Sequence, residues 1–186
     1  MISTSTAVPG KTGHYAPIAV FLHWLMAILI VGMLGLGWYM MSIEDEPGSS
    51  WYFDLHKSIG VIIVVIVTLR GVWRLGHQAG ALPARVPRWQ AIASRVTHWL
   101  LYLAMIVMPI FGIIGALFSE KGTALFGYTA PRLLTANRDI AETLFSAHSV
   151  LAWLLTGLIS VHVLAALKHL VIDKDGVFQR MWFSKN

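Results

Sequence analysis

Four long apolar stretches, separated by short polar segments, run through the chain. Three of them contain no charged residue, over residues 16–43, 96–118 and 143–167. The fourth, residues 51–75, carries charges only near its two ends, where they can reach the membrane surface or pair. Because about 20 apolar residues span a bilayer as a helix, the pattern predicts an all-α fold: an integral membrane four-helix bundle with up-down-up-down topology.

The composition also points to a membrane protein. Hydrophobic residues make up 56% of the chain and charged residues 12%, whereas soluble domains carry about 25% charged residues. This excludes a soluble globular domain, a disordered chain and a coiled coil. Arginines lie scattered in loops and form no basic domain, so no nucleic-acid binding is expected. We expect a multi-pass protein of the bacterial inner (plasma) membrane, in contact with membrane lipid.

Three regions follow from the pattern. Residues 1–15 form a polar N-terminal tail, residues 16–170 the four-helix transmembrane domain, and residues 171–186 a cytoplasmic C-terminal tail. The first apolar stretch is too long for a signal peptide and lacks a cleavage site of small residues, so we expect it to remain as an anchor.

The distribution of basic residues predicts the orientation. Lysine and arginine accumulate in cytoplasmic loops, and ten of the 14 fall on the side of the chain termini and the second loop. Both termini are therefore predicted to be cytoplasmic, with loops 42–50 and 122–140 on the outer face. The ten are Lys11, Arg70, Arg74, Arg85, Arg88, Arg95, Lys168, Lys174, Arg180 and Lys185.

Histidine is the natural ligand for a redox centre in this chain. The absence of cysteine excludes disulfides, thiolate-held iron–sulfur clusters, structural cysteine zinc sites and covalent c-type haem. Eight histidines remain. Zinc is a poor candidate, because no closely spaced set of ligands lies within a predicted span.

The spacing of the histidines places them at two depths. His162 follows His148 by fourteen residues, which in a helix is about 21 Å along the axis and returns to nearly the same face. His56 lies at the outer end of the second span, and His23 at the cytoplasmic end of the first. The predicted pairs, His56 with His148 and His23 with His162, suit two b-type haems with bis-histidine ligation. A lone histidine in a span is more often a packing or hydrogen-bonding residue.

Two glycines and two arginines fit the same arrangement. Gly37 and Gly112 lie fourteen residues after His23 and His98, at the depth of the outer pair, where a porphyrin needs helix surface without side chains. Arg70 lies fourteen residues after His56 at the cytoplasmic depth and could neutralise a haem propionate, with Arg74 one turn further on. Close helix contacts alone also explain such glycines.

A quinone site is predicted at the cytoplasmic end of the fourth span. His169 lies two turns beyond His162 and could donate a hydrogen bond and a proton to a quinone carbonyl, with His98 as a second contact. The alternative is that Lys168 and His169 only anchor the helix end at the lipid headgroups.

With these residues in place, the chain resembles the bacterial cytochrome b561 family over nearly all of residues 15–182. The resemblance implies four helices, two b haems and electron transfer with the quinone pool. It also implies that His23, His56, His148 and His162 are the axial ligands, whereas His98 matches a position that is not a ligand. The segments that carry it are FLHWL (21–25), LHKSIG (55–60), THWLLY (97–102), AHS (147–149), VHVLAALKH (161–169) and DKDGV (173–177).

Three functions remain open from the sequence. The first is a di-haem cytochrome that passes electrons across the inner membrane between an outer-face partner and quinone. The second is a superoxide:ubiquinone oxidoreductase, as one member of the family resembles a superoxide oxidase. Only this reading makes the chain an enzyme in its own right, and an acidic outer loop at Glu44, Asp45 and Glu46 weighs against it. The third is a cytochrome b anchor of a larger dehydrogenase or hydrogenase. A homodimer is compatible with each.

Overall fold

The computed structural model describes residues 15–77, 82–120, 124–129 and 131–182. The predicted N-terminal tail, apart from Tyr15, and the last residues of the predicted C-terminal tail lie outside this part of the chain. Within it, four long helices account for most residues: α1 (Pro17–Ser42), α2 (Ser50–Gly76), α3 (Arg88–Phe118) and α4 (Arg138–Lys168). All four are long and apolar enough to cross a membrane, which confirms the predicted all-α bundle.

Two helices begin before the apolar stretches that predicted them. Helix α3 starts at Arg88 and α4 at Arg138, whereas hydropathy placed the spans at residues 96–118 and 143–167. Hydropathy measures the apolar segment, but main-chain hydrogen bonding continues into the polar residues at its end. At the start of α4 the Asn137 side chain accepts a hydrogen bond from the amide of Ile140, which caps the polar first turn.

The four helices pack around a core that lies between the two levels of histidines. Helix α3 packs most extensively on α4, and α1 on α2. Many large apolar side chains on the outside of the bundle remain exposed, as expected for surfaces that face lipid. The buried core consists of Met26, Ile30, Met33, Ile63, Val67, Leu101, Ala104 and Leu155.

A small hairpin covers part of one end of the bundle. Strands β1 (Ala124–Leu125) and β2 (Tyr128–Thr129) pair antiparallel. Phe126 and Gly127, between them, both have positive φ angles of 52° and 83°, as a tight two-residue hairpin turn requires. The amide of Phe126 donates to Ser58 Oγ at 2.8 Å. This bond attaches the hairpin to α2 at the end of the bundle that carries the α1–α2 connection, which we call the loop end.

The opposite end, which we call the terminal end, holds both termini of the described chain. After α4 the helix widens into a π-helical turn over His169–Asp173. The chain then reverses through Lys174 and Gly176, with positive φ angles of 48° and 83°. A short 3₁₀ turn follows. The boundary of the predicted C-terminal tail at residue 171 falls inside this segment and stays a prediction.

Candidate functional site

Two histidines meet near the loop end. The ring centres of His56 on α2 and His148 on α4 are 6.0 Å apart, with ring planes crossed at 72°. His148 Nδ1 lies 2.8 Å from the carbonyl oxygen of Met108. Because a carbonyl can only accept a hydrogen bond, Nδ1 carries the proton. The Nε2 atom therefore keeps its lone pair available to coordinate a metal ion. His56 Nδ1 is buried and has no hydrogen-bond partner within the described residues.

Gly37 and Gly112 lie against these two rings. A Cβ atom built on Gly112 would be 3.0 Å from His148 Nδ1, and one on Gly37 would be 3.4 Å from His56 Cε1. Each glycine therefore leaves room for one imidazole of the pair. The sequence predicted both glycines at this depth, and the structure shows which ring each one accommodates.

A second pair meets near the terminal end. The ring centres of His23 on α1 and His162 on α4 are 6.1 Å apart, again with planes at 72°. His98 on α3 brings a third ring to this level, 5.2 Å from His162. Its Nδ1 lies 2.6 Å from the Ser94 carbonyl, so His98 also presents an unprotonated Nε2.

Arg70 is half-buried among neutral acceptors beside His23. Its Nη1 donates to the Ala19 carbonyl at 3.0 Å, its Nε to Tyr102 Oη at 3.1 Å, and its Nη2 to His23 Nδ1 at 3.3 Å. No carboxylate within the described residues pairs with it. Arg74 lies one turn further along α2, and together with Arg70 it lines a small recess at the terminal end.

The two histidine pairs fit an iron held between two imidazoles. With about 2 Å between each nitrogen and the metal, two imidazoles on opposite sides of one iron have ring centres about 6 Å apart. The observed separations of 6.0 and 6.1 Å agree with this. The protonated Nδ1 of His148 and the unpartnered nitrogen of His56 are further features of a ligand site.

His169 lies outside both pairs, in a cluster of its own. Its Nδ1 is 2.7 Å from Asp175 Oδ2 and 3.3 Å from Asp173 Oδ2. Lys168 Nζ lies 2.5 Å from the same Asp173 oxygen. Burial alone would raise the pKa of the Asp175 carboxyl, but hydrogen bonds from the Val177 amide and from His169 bring this pKa below its ordinary value. His169, the residue predicted to contact quinone, is therefore hydrogen-bonded through Nδ1 to a carboxylate.

Sequence reasoning missed several groups in and around these sites. Tyr102 lies four residues after His98, on the same face of α3, so helical periodicity could have indicated it as a partner at this level. The Met108 carbonyl, the Ser58 hydroxyl and the buried indole N–H of Trp73 carry no signal in the sequence, because their roles depend on which helix packs beside them.

Comparisons with known proteins agree with this architecture. The sequence profile of the prokaryotic cytochrome b561 family matches residues 14–184. The chain is 34% identical to cytochrome b561 homolog 2 of Escherichia coli (strain K12), over 90% of each chain. It is 29% identical to the "Probable superoxide oxidase CybB" of Yersinia pestis, over 90% of this chain and 94% of the relative. It is 26% identical to cytochrome b561 homolog 1 of Escherichia coli (strain K12), over 90% and 96%.

The four apolar helices, the histidines inside them and the match over most of the chain lead to one family. Its members are membrane cytochromes that bind b-type haem and transfer electrons. The chain belongs to the prokaryotic cytochrome b561 family and is a multi-pass bacterial membrane protein of electron transfer.

Proposed function

We propose that this protein is a di-haem cytochrome of the bacterial inner membrane, which passes electrons between a partner at the outer face and the quinone pool. His56 and His148 would hold one haem near the loop end, and His23 and His162 the other near the terminal end. The observation that carries the proposal is the repeated pair geometry, with ring centres 6.0 and 6.1 Å apart at two depths. Haem b supplies an iron that gains and loses one electron.

The groups around each histidine pair would orient the imidazoles and supply charge for haem binding. At the loop end, Met108 orients His148 through Nδ1, and Gly37 and Gly112 leave space for the rings. At the terminal end, Arg70 and Arg74 supply positive charge for haem propionates. Two histidine ligands to each iron would leave it no open coordination position, so oxygen binding at the iron would be disfavoured.

Haem stoichiometry tests the proposal. Protein purified in detergent should hold two b haems per chain by pyridine haemochrome, both with low-spin spectra. A single haem, or a high-spin ferric spectrum, would contradict the paired-histidine arrangement. The four single alanine variants of the proposed ligand histidines are the comparison for this haem count.

We propose the quinone site at His169 on the terminal side. A protonated His169 could donate from Nδ1 to Asp175 and from Nε2 to a quinone carbonyl at the same time. His169→Ala should then slow haem reoxidation by ubiquinone and leave both haem spectra intact. Lys168→Gln is the control, because it removes a headgroup anchor and keeps the imidazole. Equal slowing in both variants would mean that His169 only anchors the helix end.

Superoxide oxidation is a second candidate, which the relative in Yersinia pestis favours by its name. In this reaction two superoxide anions would give up two electrons and leave as O₂, and a quinone would take both electrons with two protons. The outer charges give little support for steering an anion. Lys57 pairs with Asp54 and Arg138 with Glu142, each at 2.6 Å, and the acidic side chains of residues 44–46 are exposed.

Stopped-flow mixing with superoxide distinguishes the two candidates. Haem reduction that approaches the diffusion limit, and that slows as salt increases, would favour the superoxide reaction. Slow reduction independent of salt would favour a protein or small-molecule partner at the outer face.

A further inference from the structure

A small recess at the terminal end is lined by several hydrogen-bond donors, two of which have no acceptor among the described residues. It has about 20 Å³ of free volume, room for one water-sized group. None of the described residues that line it carries a carboxylate. We call it the Arg70–Arg74 recess, and its walls include Tyr15, Arg70, Trp73, Arg74, Tyr102 and Met181.

Two of its donors lack a partner. The Nε1 atom of Trp73 is buried, and no hydrogen-bond partner for it exists within the described residues. A buried indole N–H without an acceptor costs free energy, so native proteins usually supply one. The Arg74 guanidinium likewise makes no hydrogen bond or ion pair to the described part of the chain.

Arg70 contributes a positive charge at the same place, and no carboxylate among the described residues pairs with it. Its three hydrogen-bond partners are a carbonyl, a phenol and an imidazole, all of them neutral acceptors. A cation at this depth in a membrane helix is costly unless an anion accompanies it. Arg70, Arg74, Trp73 and Tyr102 therefore line one recess that is suited to an oxyanion.

We propose that the Arg70–Arg74 recess binds one carboxylate oxygen of a propionate of the inner haem, with Trp73 Nε1–H as a donor to it. The inference rests on the proposed function, because it requires haem between His23 and His162. It adds Trp73 to the residues that bind haem, and it identifies the propionate as the group that fills the recess.

The contacts of Arg70 favour a propionate over a lipid phosphate. Arg70 touches both the recess and His23 Nδ1, so the recess adjoins the inner histidine pair. If His23 ligates through Nε2, its Nδ1 carries a proton and no longer accepts from Arg70. The Nη2 of Arg70 then becomes available to an anion.

The C-terminal segment covers one side of the recess. The amide of Tyr15 donates to the Arg180 carbonyl at 3.3 Å, and Trp24 Nε1 donates to the Met181 carbonyl at 2.9 Å. Arg180 also lies over the Tyr15 ring, 5.5 Å from its centre. Tyr15 and Met181, which line the recess, are thereby held in place by the rest of the fold.

Haem transfer to apomyoglobin tests the assignment. Trp73→Phe removes the N–H and keeps an aromatic ring, so it should speed loss of the inner haem about tenfold, the effect of one hydrogen bond to a charged group. Loss of the outer haem should not change. The inner phase is identified by its absence in His162→Ala. Trp89→Phe is the matched control, because Trp89 lies at the same end of the bundle and is 67% exposed.

Reconstitution with haem dimethyl ester, which lacks free carboxylates, supplies the decisive comparison. Trp73→Phe should accelerate loss of the ester less than loss of haem b, because an ester carbonyl accepts a weaker hydrogen bond than a carboxylate. Equal acceleration with haem b and with the ester would overturn the proposal, because Trp73 would then act through packing. Arg74→Gln should repeat the pattern and serves as a second variant if Trp73→Phe misfolds.

Native mass spectrometry addresses the other source of an oxyanion. An anionic phospholipid retained by wild type and lost in Trp73→Phe, with haem loss unchanged, would place a lipid phosphate in the recess and overturn the propionate assignment. Absence of the inner haem from wild type would instead contradict the proposed function itself.

Discussion

His148 and Met108 are joined by a hydrogen bond of 2.8 Å between the imidazole Nδ1 and the main-chain carbonyl oxygen. The bond ties the ring on α4 to the backbone of α3. It also determines the tautomer, since the carbonyl can only accept. The ring of His148 therefore has one orientation before haem binds. Its neighbour Gly112 provides the space for this ring.

Gly112→Ala should disturb the outer haem more than any other glycine substitution in this site. The added Cβ would lie 3.0 Å from His148 Nδ1, so the ring must shift from its bond with Met108 at a cost of about 1–3 kcal/mol. We expect loss of most of the outer haem by difference spectroscopy. Gly37→Ala, at 3.4 Å from His56, should be milder. Gly157→Ala has no neighbouring atom within 4 Å and should leave haem content unchanged; similar losses in all three would contradict this prediction.

Removal of single ligands should separate the two haems. His148→Ala should remove mainly the haem near the loop end, and His162→Ala mainly the one near the terminal end, because the pairs share no residue. Redox titration of each variant by optical spectroscopy measures which haem remains. Loss of both haems in both variants would show that the two sites depend on one another.

Ser58→Ala should release the hairpin from α2. The Ser58 hydroxyl donates to the Asp54 carbonyl at 2.7 Å and accepts from the Phe126 amide at 2.8 Å. Its loss leaves that amide without its acceptor and should cost about 1–2 kcal/mol. Hydrogen exchange at Phe126 should become faster. Ser160→Ala is the control, because that exposed hydroxyl bonds only within its own helix. Unchanged exchange at Phe126 would mean that the hairpin stays docked by packing alone.

Single cysteines can be introduced cleanly, since the chain has none of its own. Ser50→Cys should react with an impermeant maleimide added to intact spheroplasts, because the distribution of basic residues predicts the loop end to be outside. Ala84→Cys should react only after the membrane is permeabilised. Both residues are exposed. The reverse pattern would invert the orientation and exchange the outer and inner assignments of the haems.

Asp175→Asn should loosen the terminal end at neutral pH. The folded protein holds the pKa of Asp175 below its ordinary value, so this carboxylate contributes stability at pH values above 3.8. The contribution is lost as the pH falls through the lower folded-state pKa. Removing it should cost about 1–3 kcal/mol at pH 7. The difference in Tm between variant and wild type should shrink as the pH falls below 3.8. A constant difference down to pH 3 would mean that Asp175 acts through shape and not charge.

The sequence alone determined the four spans and the depth of each histidine. Both are local properties: a run of apolar side chains must form a helix in lipid because its backbone has no other hydrogen-bond partner. The rise and turn of that helix then place His148 and His162 on one face. Pairing with His56 and His23 could be predicted because an up-down topology brings residues of equal depth together.

Only the tertiary structure decided which groups lie around the histidine pairs and at the two ends of the bundle. The Met108 carbonyl, the hydroxyl of Ser58 and the indole of Trp73 are ordinary in sequence, and each gains its role from the helix or loop packed against it. Arg70 was predicted as a charge at the right depth, but its three neutral partners come from α1 and α3. Such contacts depend on the rotation and separation of neighbouring helices, which small differences in side-chain packing set and which hydropathy does not encode.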